Sequence, residues 1–509
     1  MKSETKKQSQ IRNGVILSYI NLLLGCLIPI IYTPIMLQLL GPEEHGLYAL
    51  ATSVTGYLGL LSFGFGGTIV RYIAKYRAEN KIQEIEKIFG LFLKIYGFLS
   101  IVAVLAGTII AINVDQFFSM KLSAQQQQDL SKLLILLSLT TALSLMTSVV
   151  ISIITAFEDF TFQKLIDIFS TIAIPIANLA VLTMGQRSIG IVIVSVYFQI
   201  FILIIYWLRV TRKIRIHPTF GSVNRDLIKE IILFSFYIFL GSVVDSLFWS
   251  TDKLLLGALV GTTAVSVYQI GSTFNLMITQ ASSTISGLLT PRITMIANNG
   301  EEADQKTLSH LFIRVGRIQF FIVFCLVSGF TVFGKIFINL WAGTNYADSY
   351  WIAILTLYPL CIPLIQNTGI SIMTAQNKHK FRSVTYLLVA VLNVIGTYFL
   401  IPVLGGIGAA LCSCLSYILG QGIIMNIYYY RIIKLDILEF WKQIIQAAVF
   451  PVILMAIGLL VVNELRIINW GIFIIWVIVY FVIYCFGIWC FSMNSEERSM
   501  FIRLIRRIN

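Results

Sequence analysis

Apolar runs of about twenty residues recur along the whole of this 509-residue chain, and nothing else in it limits the fold so strongly. Coiled as a helix at about 1.5 Å per residue, such a run matches the ~30 Å hydrocarbon core of a bilayer. Inside lipid every backbone N–H and C=O must be satisfied within the segment, so separate runs of this kind fold as helices. Fourteen spans are expected. The first six lie near 14–39, 46–70, 88–112, 132–156, 165–184 and 188–208. Six more lie near 230–250, 264–290, 315–340, 350–374, 383–401 and 406–427, and a last pair occupies about 442–463 and 467–491. The expected fold class is an all-α integral membrane protein, because no polar stretch is long enough to bury a core of its own.

The net charge of +13 suggests nucleic acid until the charges are placed. The N-terminal tail carries Lys2, Lys6, Lys7 and Arg12, and every second loop after it is basic. These loops hold Arg71, Lys75, Arg77, Lys81 and Lys87, then Arg209, Arg212, Lys213, Arg215, Arg225 and Lys229. Later basic loops hold Arg292, Lys306, Arg314 and Arg317, then Lys378, Lys380 and Arg382, then Arg431, Lys434 and Lys442. The tail ends with Arg498, Arg503, Arg506 and Arg507, whereas the intervening loops hold single cations such as Lys121, Arg187, Lys335 and Arg466. By the positive-inside rule both termini are expected in the cytoplasm. The basic charge then reports topology and contact with anionic membrane lipids, and no nucleic-acid site is expected.

Several chemistries are excluded. The seven cysteines (Cys26, Cys325, Cys361, Cys412, Cys414, Cys485, Cys490) lie singly or as Cys-Ser-Cys in apolar segments, without zinc or redox spacing. The four histidines fall in loops or at helix ends (His45, His217, His310, His379), which leaves no metal cluster. There is no phosphate-binding loop, no nucleophile with a base, and no cofactor is expected. The run from Ile11 is too long for a cleaved signal and lacks a small-residue cleavage site. The longest outer loop, about 113–131, is too short to hold an enzyme domain.

Two polar stripes survive within the spans. Tyr268, Ser272, Asn275, Thr279, Ser282 and Ser286 step by four and three along one helical face. At an offset of 220 stand Tyr48, Thr52, Thr55, Gly59, Ser62 and Gly66. Small and hydroxyl residues also let helices pack closely in lipid, but the same stripe twice favours a water-filled cavity lined by both helices. A second match, Ser152-Ile153-Ile154-Thr155-Ala156 against Ser371-Ile372-Met373-Thr374-Ala375, has an offset of 219. The pair suggests a duplicated six-helix unit with a site at the shared interface. The expected segments are a tail 1–13, a lobe 14–208, a linker 209–229, a second lobe 230–427, a helix pair to 491 and a tail 492–509.

Charges within or beside spans are the remaining candidates, because lipid makes them expensive. Ser242, Asp245, Trp249 and Asp252 share a face near the outer end of the seventh span, with Lys253 next. Arg71 closes the second span and Arg292 the eighth, each flanking a stripe, and the competing reading for both is ordinary inside-positive anchoring. Lys94 sits about two turns inside the third span, where it also has the option of snorkelling. The substrate-facing candidates are Arg71, Arg292, Tyr48, Thr52, Thr55, Tyr268, Ser272, Asn275 and Thr279. Asp245, Asp252, Lys253 and Lys94 are candidates for gating or ion coupling.

The chain resembles the polysaccharide-transporter branch of the multidrug/oligosaccharidyl-lipid/polysaccharide exporter superfamily. The resemblance rests on Leu39-Leu40-Gly41-Pro42-Glu43-Glu44-His45-Gly46-Leu47-Tyr48, on Gly64-Phe65-Gly66 leading to Arg71-Tyr72-Ile73-Ala74, on Asp252-Lys253-Leu254-Leu255-Leu256-Gly257, and on Gly405-Gly406-Ile407-Gly408-Ala409-Ala410. It implies two six-helix lobes around a cavity open alternately to each side. It also implies transfer of an undecaprenyl-(pyro)phosphate-linked oligosaccharide to the outer leaflet of a bacterial cytoplasmic membrane, with polymerase and chain-length proteins as possible partners. A drug or cation antiporter of the same superfamily competes, and would need buried carboxylates for H⁺ or Na⁺. A membrane polymerase or ligase is disfavoured by the short outer loops.

Overall fold

The computed structural model describes residues 2–118, 121–221, 225–298, 303–376, 378–464, 469–499 and 502. Side chains are described for all of these except 2–16, 225, 234, 237, 281, 284–298, 303–304, 374–375 and 379–380. The described backbone is almost entirely helical, without strands. Its α-helices are α1 (Lys2–Leu58), α2 (Phe65–Ala78), α3 (Ile82–Ile112), α4 (Val114–Phe118), α5 (Ala124–Ala156), α6 (Phe160–Thr183) and α7 (Ser188–Leu208). Then come α8 (Arg225–Trp249), α9 (Thr251–Leu259), α10 (Thr262–Asn298), α11 (Ala303–Trp341), α12 (Ser349–Ile365) and α13 (Asn367–Ala375). The last are α14 (His379–Tyr417), α15 (Met425–Tyr428), α16 (Ile437–Glu464) and α17 (Trp470–Gly487).

Among the described residues ten helices are long and apolar enough to cross a membrane, or eleven if a pair bent by 46° (Ser349–Ile365 and Asn367–Met373) is one span. The sequence led to an expectation of fourteen. Part of the difference is fusion, since two of the ten run to 62 and 53 residues. At about 1.5 Å per residue each exceeds twice the hydrocarbon thickness. Each also breaks at a glycine of left-handed φ, Gly41 (φ 76°) and Gly405 (φ 57°). α10 is outside that tally. Exposed apolar faces fit the membrane reading. On α3, Phe98, Ile101, Leu105, Ile109 and Ile112 follow helical spacing and are all 58–72% exposed, a stripe that water would not tolerate.

Contacts divide the chain into two compact units, Met1–Ser266 and Val267–Asn509. In the first, α2, α3, α5 and α7 enclose Phe65, Phe89, Phe92, Tyr96 and Tyr206. The helices α8 and α9 cluster with this unit because their contacts lie there. Thr68 and Ser235 share a hydroxyl hydrogen bond of 2.8 Å, Phe63 stacks on Phe239 at 4.7 Å, and Gly257 lies flat against Leu50. In the second unit α11, α16 and α17 share one core around Phe312, Phe333, Phe440, Tyr480 and Tyr484. The C-terminal helices are thus part of that core. They are further fixed by Arg317 of α11, whose Nε donates to Glu497 Oε1 at 2.6 Å and whose Nη2 donates to Oε2 at 3.1 Å. The same guanidinium donates to the carbonyls of Gln443 and Ser492.

The offset of about 220 reappears in backbone conformation. Left-handed φ occurs at Gly41 and Gly261, at Gly185 and Gly405, and at Arg215 and Lys434. Arg215 ends a wide helical turn in which Ile216 N–H donates to Val210 O, and Lys434 ends one in which Leu435 N–H donates to Tyr429 O. Likewise Asp159 N–H donates to Ile154 O, and Lys378 N–H to Met373 O. The same turns therefore close at the same offsets in both halves of the chain.

The kink after Gly41 ties neighbouring helices together. Glu43 accepts from Gln126, a capping residue at the start of α5. Glu44 Oε1 accepts both the N–H and the hydroxyl of Ser188, which opens α7. His45 Nδ1 bonds the Ser266 hydroxyl at 2.7 Å on the first turns of α10. At Gly46 the backbone meets Thr262 so closely that a Cβ would fall 1.8 Å from its carbonyl oxygen. Only glycine fits there.

Candidate functional site: buried polar groups of each unit

The second stripe runs along α10 and faces into its own unit. Tyr268, Ser272, Asn275 and Ser282 are all buried. Asn275 Oδ1 accepts from Thr356 of α12 at 3.1 Å, and the Ser282 hydroxyl donates to the Leu364 carbonyl at 3.4 Å. Ser272 and Thr279 donate to carbonyls of their own helix, Gln269 and Asn275. Asn275 and Ser282 therefore stitch α10 to α12, and the half-buried Thr279 keeps its acceptor lone pairs available.

The threonine hydroxyls of the first stripe bond within their own helix. Thr52 donates to the Ala49 carbonyl at 2.9 Å and Thr55 to that of Ala51 at 3.0 Å. Thr55 is buried and Thr52 half-buried. The half-buried Tyr48 packs against Met36, Leu182 and Ile191. Past Thr55 the stripe ends, because a tight turn over Gly59–Ser62 and left-handed φ at Phe63 and Gly64 break the helix. Gly66, at the foot of the stripe, accepts from Ser152 Oγ of α5.

The charged candidates separate into two groups. Asp252 is fully buried and Lys253 half-buried in the first turn of α9. Around them the first unit gathers groups the sequence reading left aside. Tyr57 hydroxyl contacts the Thr251 hydroxyl and reaches the Ser246 carbonyl at 3.4 Å. Asp252 lies within electrostatic range of Lys253 and Tyr57, and Lys253 within that of the buried His45. Four ionisable or phenolic side chains thus meet between the post-kink arm of α1 and α9. Lipid-embedded charge is retained where it does something or is paired. Here the Asp252 carboxylate and the Lys253 ammonium offset one another beside the buried His45.

The other charges stand elsewhere. Asp245 is exposed on α8. Arg71 is exposed, with its guanidinium 6.0 Å from the Tyr72 ring, and Lys94 is exposed with its ammonium 5.1 Å from Phe220. Arg292 lies outside the described side chains. His45 and Tyr57 carried a signal that went unused. His45 stands three residues before the stripe, inside the Gly-Pro-Glu-Glu-His-Gly run, and Tyr57 two residues after Thr55. Among the described residues no group of three or more His, Cys, Asp or Glu is placed to hold a metal.

These features define a class, a multi-pass all-helical membrane protein. The fold is similar to that of the lipid II flippase MurJ in an inward closed conformation, with a TM-score of 0.69 and 17% identity over 93% of this chain and 97% of that one. It is also similar to an inward-facing multidrug resistance MATE family transporter, with a TM-score of 0.66 and 14% identity over 84% and 99% of the two chains. Residues 11–297 match the sequence profile of the polysaccharide biosynthesis protein family, and the chain belongs to that family. A putative O-antigen transporter of Shigella flexneri is 21% identical over 398 residues, 76% of this chain and 90% of its own. These relatives are named as transporters and flippases, not as enzymes.

Proposed function

We propose that this protein is a flippase for a lipid-linked oligosaccharide. In this reading it carries an undecaprenyl-(pyro)phosphate-linked repeat unit from the inner to the outer leaflet of a bacterial cytoplasmic membrane by alternating access, for surface polysaccharide synthesis. The observation that carries the reading is family membership joined to an O-antigen transporter relative that is matched over nearly its whole length. The physics agrees. The sugar head cannot cross hydrocarbon, whereas the lipid tail need not leave it. Outward movement of a head bearing two negative charges gains roughly 4–5 kcal/mol per 100 mV when the interior is negative. Half-buried hydroxyls at Tyr48, Thr52 and Thr279 suit sugar hydrogen bonding, and Arg71 and Arg292 suit the phosphate. The loop charges support cytoplasmic termini, and polymerase and chain-length proteins are the expected partners.

One observation favours a second reading, ion-coupled export of a small molecule. The buried Asp252, with Lys253 and His45, is a plausible proton carrier. The test is deletion of the gene followed by extraction of lipid-linked saccharides. The flippase reading expects one intermediate to accumulate on the inner leaflet and surface polysaccharide to fall. Unchanged lipid-linked pools with lost drug resistance, reproduced by Asp252→Asn, would transfer the assignment to the antiporter.

A further inference from the structure

We infer that the first unit carries a binding site for one anionic phospholipid of the cytoplasmic leaflet, in a groove between α3, α5 and α7. The groove is about 300 Å³ and is lined by Leu93, Met146, Val150, Leu203, Ile204, Trp207 and Leu208, none of them polar apart from the indole N–H. Its lining offers a water almost no polar partner. A water-sized group takes about 30 Å³, so the groove has room for roughly ten such groups. That is a substantial part of one straight acyl chain but only a fraction of a polyprenyl tail.

The floor of the groove is already closed. Val150 is buried, and the Trp207 ring lies tilted against Phe89 at 5.7 Å between ring centres. Its outer wall is open, for Ile204 is 52% exposed. On α3, Gly97 stands one turn beyond Leu93 on the same face, and a Cβ there would meet nothing within 4 Å. The missing side chain leaves open space on that face.

Charge decides the headgroup. Leu208 ends α7, and the wide turn that follows presents Arg212 and Lys213, both exposed. Neighbouring Arg209 is already committed to Asp159 at 2.6 Å and to the face of Phe162. Among the described residues no carboxylate pairs with Arg212 or Lys213. Lys94 follows Leu93 and holds its ammonium beside the exposed Phe220. Arg212 follows the lining residue Leu208 by four positions and Lys94 follows Leu93 by one, so cations adjoin the apolar lining along the chain, and each basic residue near the interface favours an anionic headgroup.

The experiment uses the full chain purified in detergent, stripped of lipid, and titrated by native mass spectrometry with palmitoyl-oleoyl phosphatidylglycerol and, separately, phosphatidylcholine. One phosphatidylglycerol is expected to bind about tenfold more tightly than phosphatidylcholine. The double variant Lys94→Gln/Arg212→Gln is expected to lose that preference and keep the weaker, shared binding. Ile204→Trp fills the groove from its open rim and is expected to remove both adducts, with the folded state checked by its melting temperature. Equal binding of the two lipids by the unmodified protein, or full retention of the adduct by a folded Ile204→Trp variant, overturns the inference. Displacement of phosphatidylglycerol by equimolar undecaprenyl phosphate also overturns it, giving the groove to the carrier lipid instead.

Discussion

Gly46 and Gly97 are both helical glycines of the first unit, yet their surroundings oppose each other. A Cβ at Gly46 would sit 1.8 Å from the Thr262 carbonyl oxygen, whereas one at Gly97 would touch nothing within 4 Å. Gly46→Ala forces backbone apart, and overpacking of this kind costs about 1–3 kcal/mol or more. Gly97→Ala costs nothing in packing and gains helix propensity of up to about 1 kcal/mol. The expected outcome is a clear fall in melting temperature and in monodisperse yield for Gly46→Ala, with Gly97→Ala equal to or above the parent. The Gly-Pro-Glu-Glu-His-Gly run was recognisable in the sequence as a resemblance. What each residue touches was not, because Ser266, Ser188 and Gln126 lie between 83 and 221 residues away. His45 was for that reason read as an ordinary loop histidine. Removing its ring by His45→Ala leaves Ser266 without this hydrogen bond, a loss of about 1 kcal/mol or more in a buried setting. His45→Gln should retain more stability, and comparison of the two by thermal melting checks the bond.

Helical periodicity made the spans legible and even placed both stripes, because a 3.6-residue repeat is a property of local sequence. It could not say which face met another helix. Asn275 and Ser282 are engaged by α12, a partner about 80 residues away, so the fully hydrated stripe expected from spacing is instead partly interhelical glue. Charge counting failed in the same way at Arg317. It was grouped with the basic inner loop, but it is buried and bidentate with Glu497, 180 residues on. Breaking such a pair from one side leaves an uncompensated buried charge and costs about 3–5 kcal/mol. Arg317→Met or Glu497→Gln alone should therefore loosen the C-terminal helices and expose the 488–492 turn to proteolysis. The double variant should recover part of the loss, and a double-mutant cycle on thermal stability measures the coupling.

At the level of the whole chain, the alternation of basic and sparsely charged loops makes a topological prediction. With the exposed Cys485 and Cys490 replaced, a cysteine at Gln125 should react with an impermeant maleimide added outside intact cells. One at Lys81 should react only after the membrane is opened, and the reverse pattern would refute the inside-positive assignment. Two short sequence matches at nearly one offset suggested a duplicated unit, the first of them scarcely above chance by itself. Paired left-handed turns at Gly41 and Gly261, Gly185 and Gly405, and Arg215 and Lys434 carry it further, since backbone form outlasts side-chain identity.

The three residues Glu43, Glu44 and His45 have one more consequence. Each holds the first turns of a different helix, although they are consecutive in the chain. Surface connections usually absorb insertions and deletions. A single added or lost residue here would swing all three side chains by about 100° around the axis, aiming every one at the wrong neighbour. Among functional members of this family, length should therefore vary freely in the connection ahead of Ser123, which caps α5, and be frozen between Gly41 and Gly46.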